Sequence, residues 1–226
     1  RFQNVEVSGV APNYETDFLK NETRTTSRIT PAYIYDSRDN FLNPSKGWRH
    51  VITSDFAGLG GLKFTRSMYE VVYYRPLIEK LVLGAHARIN YATGYGGDTL
   101  PAFERYFMGG PTTLRGFTLQ DIGPKDRSGD PVGGTKALLL NLELQYPFTK
   151  SLRGFLFYDR GNVYGTGPDL SLTSKDFDLG QMRHSIGAGF RFMSPMGPLG
   201  FAYGIKLDPQ SGEQLGQFHF SAGSAF

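Results

Sequence analysis

The sequence contains no cysteine, which excludes a disulfide scaffold and a metal site with cysteine ligands. It also has no apolar run near the roughly 18 residues that a membrane-spanning helix needs, and its mean hydropathy is −0.32. Neither absence excludes a membrane barrel, because a transmembrane β-strand presents apolar side chains to lipid only at every second residue.

Catalytic and ligand-binding patterns are missing as well. The chain has four histidines, each on a different predicted strand and none beside an acid at a recognisable catalytic spacing. It has no metal-ligand cluster and no glycine-rich phosphate-binding loop. The formal net charge is only +3, and no basic run indicates nucleic-acid binding. We therefore predict no catalytic residue, no metal, no cofactor and no nucleic-acid partner.

Glycine and aromatic residues are abundant, with 29 glycines and 14% Phe, Trp and Tyr, which favours an all-β chain with many turns. Segments of about ten residues show period-2 alternation. The predicted strands are residues 1–10, 28–36, 48–58, 64–75, 81–93, 136–148, 152–164, 182–193, 199–207 and 216–226. Turns are predicted in residues 37–47 and at Pro76.

The alternation is clearest in residues 136–148, where leucines occupy one face and Asn141, Glu143 and Gln145 the other. A soluble sandwich would alternate as well. Two features favour a barrel in lipid instead. The strands approach the 9 to 11 residues that span a bilayer when tilted, and aromatic residues gather at strand ends as in an interfacial girdle. We therefore predict an antiparallel transmembrane β-barrel.

One long segment, residues 95–135, has no sustained apolar period, and loops of that length are usually functional or disordered. Its aromatic residues favour order, so we predict that it folds back inside and carries Arg115 with it. The strand parity turns Glu143 and Asp159 toward the same interior, and a guanidinium can bridge two carboxylates. The alternative interpretation is a solvated turn arginine and ordinary polar residues lining the interior.

The same loop resembles that of a known family. Residues 109–117 (Gly-Gly-Pro-Thr-Thr-Leu-Arg-Gly-Phe), 122–124 (Ile-Gly-Pro) and 132–134 (Val-Gly-Gly) follow in the order of the sixth extracellular loop of the outer-membrane barrel-assembly factors. The family motif is Val-Arg-Gly followed by Phe or Tyr, so Leu114 is a mild departure. The resemblance covers residues 28–226.

The resemblance implies specific roles for the loop and its surroundings. The implied latch motif is Leu114, Arg115, Gly116 and Phe117, and its implied acceptors in the barrel wall are Glu143 and Asp159. The implied support of the loop comes from Gly109, Gly110, Ile122, Gly123 and Pro124. The last strand resembles the aromatic-terminated signal of outer-membrane barrels, and the implied residues of this seam strand are Gly216, Phe218, Phe220 and Phe226. Gly216 and Gly223 are expected to weaken that strand.

The implied architecture is a sixteen-stranded barrel of the bacterial outer membrane, preceded by periplasmic POTRA domains. Residues 1–226 would be the C-terminal part of a single barrel domain and supply its last nine or ten strands. The first strands and the POTRA domains would then be absent. This agrees with a chain that starts at Arg1 without an initiator Met, as expected of a mature product or a fragment.

The implied function is to fold and insert outer-membrane proteins through a labile seam between the first and last strands. The implied partners are unfolded outer-membrane proteins, membrane lipid and, through the POTRA domains, periplasmic lipoproteins. TamA-like translocation factors and two-partner secretion transporters share the Arg-Gly-Phe/Tyr loop and are the main alternatives. The stretches 122–124 and 133–134 favour an assembly factor. A passive porin would not need the loop motif.

Overall fold

The computed structural model describes residues 2–5, 24–165, 177–195 and 197–223. They form one antiparallel sheet of eleven strands in the order β1-β2-β4-β5-β6-β7-β8-β9-β10-β11, with β3 paired to β4. The strands are β1 Phe2–Val5, β2 Arg24–Ile29, β3 Ala32–Asp36, β4 Gly47–Gly61, β5 Phe64–Ile78, β6 Leu81–Gly94, β7 Lys136–Pro147, β8 Leu152–Tyr164, β9 Arg183–Ser194, β10 Gly197–Lys206 and β11 Gly216–Ala222. No helix in this part of the chain is long and apolar enough to cross a membrane.

The two faces of the sheet differ in the sense expected for a membrane barrel. On β7, Glu143 and Gln145 are 1% and 0% exposed, whereas Leu144 on the opposite face is 40% exposed. On β8, Asp159 is fully buried and Leu156 is 60% exposed. A soluble sandwich would bury the leucines and expose the charges. The apolar face therefore points outward, and the polar residues lie on an inner face covered by the long loop.

The predicted strand 28–36 is in fact two strands that share one register against β4. Ile29 pairs with Phe56 in β2, and Ala32 pairs with Thr53 in β3. Pro31 interrupts the ladder because proline has no backbone N–H to donate. Its carbonyl still accepts a hydrogen bond from the Ser54 N–H at 3.2 Å.

Two further strand boundaries differ from the prediction. β5 continues through Pro76, which pairs with Val82, and the chain turns only after Ile78, following a register shift between Pro76 and Ile78. Proline is tolerated at such an irregularity because no ladder hydrogen bond is required there. β11 ends at Ala222, and Gly223 follows it with a φ of +125°. Gly216 is thus the first residue of the last strand and Gly223 follows its end, so neither lies in the strand interior, where glycine was expected to weaken it.

The sheet has two ends in the described residues. β1 pairs with β2, β11 pairs with β10, and neither has a second partner strand among them. Within the sheet the largest buried apolar cluster lies under the long loop. It joins loop residues to β7 and β8, and its members are Met108, Leu114, Phe117, Ile122, Ala137, Leu139 and Val163.

Candidate functional site

The long loop between β6 and β7 folds over the inner face of the sheet, as predicted. Leu114 and Phe117 at its tip are 0% exposed, and Arg115 is 6% exposed. Isolated β-bridges hold the two halves of the loop together, at Tyr106 with Gly134 and at Met108 with Ile122. The loop is therefore a folded hairpin-like unit that presents its tip to the wall.

Arg115 binds both predicted carboxylates. Its Nε and Nη2 atoms donate to the two oxygens of Asp159 at 2.7 Å each, and its Nη1 donates to Oε1 of Glu143 at 2.5 Å. The backbone N–H of Arg115 also donates to Asp159 Oδ2 at 3.0 Å. Charge-assisted bidentate bonds of this kind fix geometry as well as adding energy, so Asp159 sets the position of both the side chain and the backbone at the tip.

Aromatic rings and a second arginine complete the charged site. The guanidinium carbon of Arg115 lies 3.8 Å from the ring centroid of Phe157. Arg191 on β9 donates to both oxygens of Glu143 at 2.9 and 3.0 Å and stacks 4.3 Å from the ring centroid of Phe155. Two arginines thus face two carboxylates, which compensates the buried charge. The prediction from sequence missed Arg191, although its parity on β9 places it on the inner face.

The tip backbone sits directly against β9, β10 and β11. Gly116 adopts a φ of +88°, a left-handed conformation that favours glycine. A Cβ on Gly204 of β10 would lie 2.5 Å from the Gly116 nitrogen, so glycine at 204 is what lets the tip approach. Ser185 on β9 donates to the Arg115 carbonyl at 2.5 Å.

His219 joins the tip to the last strand. The Gly116 N–H donates to His219 Nε2 at 2.8 Å, and this acceptor role requires an unprotonated Nε2. The sequence showed His219 only as a histidine without a catalytic partner. Because residue 219 alternates with Phe218 and Phe220, the pattern indicates that His219 points inward. The pattern does not indicate that its partner is a backbone amide of the loop.

Phe117 packs against two cations, one at the start of β9 and one at the end of β10. Its ring lies 4.9 Å from the Arg183 guanidinium carbon and 5.1 Å from Lys206 Nζ. Arg183 in turn donates to both oxygens of Glu213, at 3.1 and 2.7 Å. These hydrogen bonds lower the pKa of Glu213 to about 2. Phe117 is therefore anchored by apolar burial and by two cations on its faces.

The predicted support residues make contacts within the loop and with β8. Gly110 donates to the Leu114 carbonyl at 3.1 Å, and Ile122 donates to Met108 at 2.9 Å. Gly109 donates to Thr113 Oγ1 at 2.9 Å. Gly123 packs against Val163, where a Cβ would lie 2.7 Å from the valine Cβ. The Pro124 carbonyl accepts from Val132 at 3.1 Å.

The predicted seam residues lie at the edge of the described sheet. Gly216 begins β11, and Phe218 and Phe220 point outward with 61% and 53% exposure. Phe226 lies outside the described residues. A group of three or more His, Asp or Glu side chains placed to hold a metal ion is not found in the described ranges. The arrangement as a whole is suited to holding a loop in place.

Comparison with known proteins agrees with this geometry. The chain is 34% identical over 202 residues to the outer membrane protein assembly factor BamA of Nitratidesulfovibrio vulgaris, with 86% of this chain and 25% of that protein covered. It is 25% identical to BamA of Neisseria meningitidis serogroup B, covering 96% of this chain and 32% of that protein. The human sorting and assembly machinery component 50 homolog is 28% identical and covers 88% of this chain and 45% of its own length.

A solved structure shares the fold. The crystal structure of BamA from Haemophilus ducreyi lacking POTRA domains 1–3 superposes with a TM-score of 0.77 at 24% identity, covering 95% of this chain and 45% of that one. The chain spans about a quarter to a third of the length of the bacterial relatives it matches. The family model of the Omp85 superfamily domain matches residues 1–226. The chain is therefore a bacterial outer-membrane protein that belongs to the Omp85 superfamily.

Proposed function

We propose that this chain is the C-terminal part of the barrel of an outer-membrane protein assembly factor, and that the parent protein folds and inserts other outer-membrane barrels. The proposal rests on the names of the bacterial relatives together with the site. It involves no bond chemistry and no cofactor. The work of such a protein is to lower the barrier that a client meets when its unpaired backbone groups enter lipid.

The observation that carries the proposal is the buried tip of the loop. Arg115 is bound to Asp159 and Glu143 through hydrogen bonds of 2.5 to 2.7 Å in a site from which solvent is excluded. A passive channel needs a constriction but no such latch. A loop latched to the wall stabilises the late strands from inside, and those strands flank the proposed seam. The proposed latch motif is Leu114, Arg115, Gly116 and Phe117, with Glu143 and Asp159 as acceptors.

The proposed seam strand is β11. Its outer edge has no partner strand among the described residues, and we propose that this edge pairs with an incoming strand of a client, as in other cases of strand addition. Its outward phenylalanines lie on the face that meets lipid. The proposed partners are unfolded outer-membrane proteins, membrane lipid and, through POTRA domains outside this chain, periplasmic lipoproteins of the assembly complex.

The test uses the full-length parent protein in liposomes. An unfolded, unrelated outer-membrane barrel is added, and its folding is followed by heat-modifiability on a gel for the wild type and for Arg115→Ala. We expect accelerated folding with the wild type and a marked loss with Arg115→Ala, while the variant itself stays inserted. The absence of acceleration by a well-inserted wild-type protein would overturn the proposal, and export or conductance would then be measured.

A further inference from the structure

We propose that the loop has a second anchor at its stem, in which Glu104 of the loop binds Arg28 and Arg66 of the wall. The stem anchor lies outside the motif that the sequence pointed to. It deepens the proposed function, because it rests on the idea that the position of the loop matters for that function. It also assigns Glu104 as a positioning residue that acts through the loop.

The geometry of the stem anchor is that of a buried ion cluster. Glu104 ends a short 3₁₀ helix, Ala102–Glu104, and is 5% exposed. Its Oε2 atom accepts from Arg66 Nη1 of β5 at 2.6 Å and from Arg28 Nη1 of β2 at 3.3 Å. Arg28 also reaches Asp55 of β4 at 3.4 Å. A carboxylate this deeply buried is stable only with such partners, so the helix is held over β2, β4 and β5.

Tyr106, two residues further on, strengthens the same attachment. Its ring lies 5.0 Å from the guanidinium carbon of Arg66. Its hydroxyl lies 3.3 Å from the carbonyl oxygens of Ser67 on β5 and Tyr91 on β6. The backbone of Tyr106 exchanges hydrogen bonds of 2.8 and 2.9 Å with Gly134 on the returning half of the loop. The stem anchor therefore binds both halves of the loop to the early strands.

The two anchors have opposite charge sense. At the tip the loop supplies the cation, Arg115, and the wall supplies Asp159 and Glu143. At the stem the loop supplies the anion, Glu104, and the wall supplies arginines. If the tip and the stem exchanged places, Arg115 would face the wall arginines and Glu104 would face Asp159 and Glu143. Such contacts between like charges are unfavourable. The polarity thus specifies one orientation of the loop across the inner face.

The two anchors also bind different parts of the wall. The stem anchor attaches to β2 and β5, and the tip attaches to β7, β8, β9 and β11. Two-point attachment raises the effective concentration of each end at its own site. If only the tip is released, the stem anchor keeps the loop close to the inner face of the sheet. The loop leaves this face only when both anchors are lost. Glu104 and Arg115 therefore act cooperatively.

The test is amide hydrogen exchange on the full-length parent protein in lipid nanodiscs. Arg115 and Gly116 report the tip, and Tyr106 and Gly134 report the stem. The variants are Glu104→Gln, Arg115→Lys and the double variant. The matched control is Asp130→Asn, because Asp130 lies in the same loop, carries the same charge and is exposed.

We expect Glu104→Gln to raise exchange at the stem about tenfold, since a charge-assisted hydrogen bond is lost, with a smaller rise at the tip. In the double variant, exchange at the tip should exceed the product of the two single effects. Effects that simply multiply, or a Glu104→Gln variant that matches Asp130→Asn, would overturn the second anchor.

A charge exchange guards against simple misfolding. Glu104→Arg alone should free the stem, and Glu104→Arg combined with Arg66→Glu should restore part of its protection while keeping the net charge, since Arg28 remains beside position 104. Failure of the combined variant to recover any protection counts against the pairing. The exchange readout involves no client protein, so the stem anchor can stand even where the folding assay fails, and the folding assay can succeed where the stem anchor does not exist.

Discussion

Two clusters of buried carboxylates and cations lie on the inner face of the sheet, and they differ in the elements that they connect. Glu70 on β5 binds Arg49 at 2.6 Å and lies 3.3 Å from His86 Nε2 and 3.8 Å from Arg88. All three partners come from β4 and β6, the strands that already pair with β5. The cluster around Glu143 and Asp159 instead binds Arg115, which belongs to the loop.

The difference lies in what each cluster holds in place. The Glu70 cluster links strands that are already fixed by a backbone ladder, so it mainly compensates charge inside the wall. The Asp159 cluster links an element that has no ladder to the sheet, so its ion pairs and the packing of Leu114 and Phe117 set the position of the tip. A buried charge alone therefore does not indicate function. The informative feature is the structural element that the charge holds in place.

The largest expected effect comes from Asp159→Asn compared with Glu70→Gln. Asp159 accepts from the backbone and from two side-chain nitrogens of Arg115. Its neutralisation leaves a buried arginine with only Glu143 to compensate it, at a cost of about 3 kcal/mol. Hydrogen exchange at the tip should rise strongly in Asp159→Asn. Glu70→Gln should cost about 1 kcal/mol, seen in urea unfolding of the barrel but not in exchange at the tip.

The comparison would fail if both variants loosened the loop to the same extent. That result would mean that the two clusters form one network across the inner face. Asn141 offers such a route, because it contacts His86 at 2.8 Å and donates to the Thr113 carbonyl at 2.7 Å. An Asn141→Ala variant that separates the two effects again would restore the distinction.

Much of this architecture could be predicted from the sequence because side-chain direction in a strand has a period of two. Parity placed Glu143 and Asp159 on one face, and the same parity places Arg191 there. Residues 95–135 have no apolar alternation, and this absence predicted the loop with the same bounds as in the structure. The break at Pro31 follows from proline chemistry, and residues 28–36 were nevertheless predicted as one strand, although all five residues of β3 are exposed.

The partners across the inner face could not be predicted in the same way. Parity states that His219 and Ser185 point inward, but it does not say which part of the loop meets them. Glu104 is harder still, because the path of the loop is set by packing around Met108, Leu114 and Phe117 rather than by a local pattern. These contacts join residues that are up to 103 positions apart, and a single sequence carries no signal at that separation.

A smaller effect is expected from substitution of His219. This substitution tests the attachment of the tip to β11 separately from its attachment to Asp159 and Glu143. His219→Ala removes the acceptor of the Gly116 N–H, a loss of about 1 kcal/mol, or roughly a fivefold rise in exchange of that amide. His219→Gln keeps a side-chain oxygen as acceptor and should retain most of the protection. Equal exchange in the two variants would show that the hydrogen bond does not hold the tip to β11.

The smallest effect is expected at Glu213, which is partly buried and lies outside the buried tip. Hydrogen bonds from Arg183 lower the pKa of Glu213 to about 2, against an ordinary value near 4.3. A depressed pKa contributes stability that is complete above the unfolded value and is lost as the pH falls from about 4.3 toward 2. Solvent screens this pair, so the loss is about 1 kcal/mol at most.

The amide of Lys206, which donates to the Leu215 carbonyl at 2.8 Å, should lose protection in this window in the wild type. In Glu213→Gln the protection should be lower throughout and should not change across the window, whereas a parallel change in that variant would assign the effect to another group.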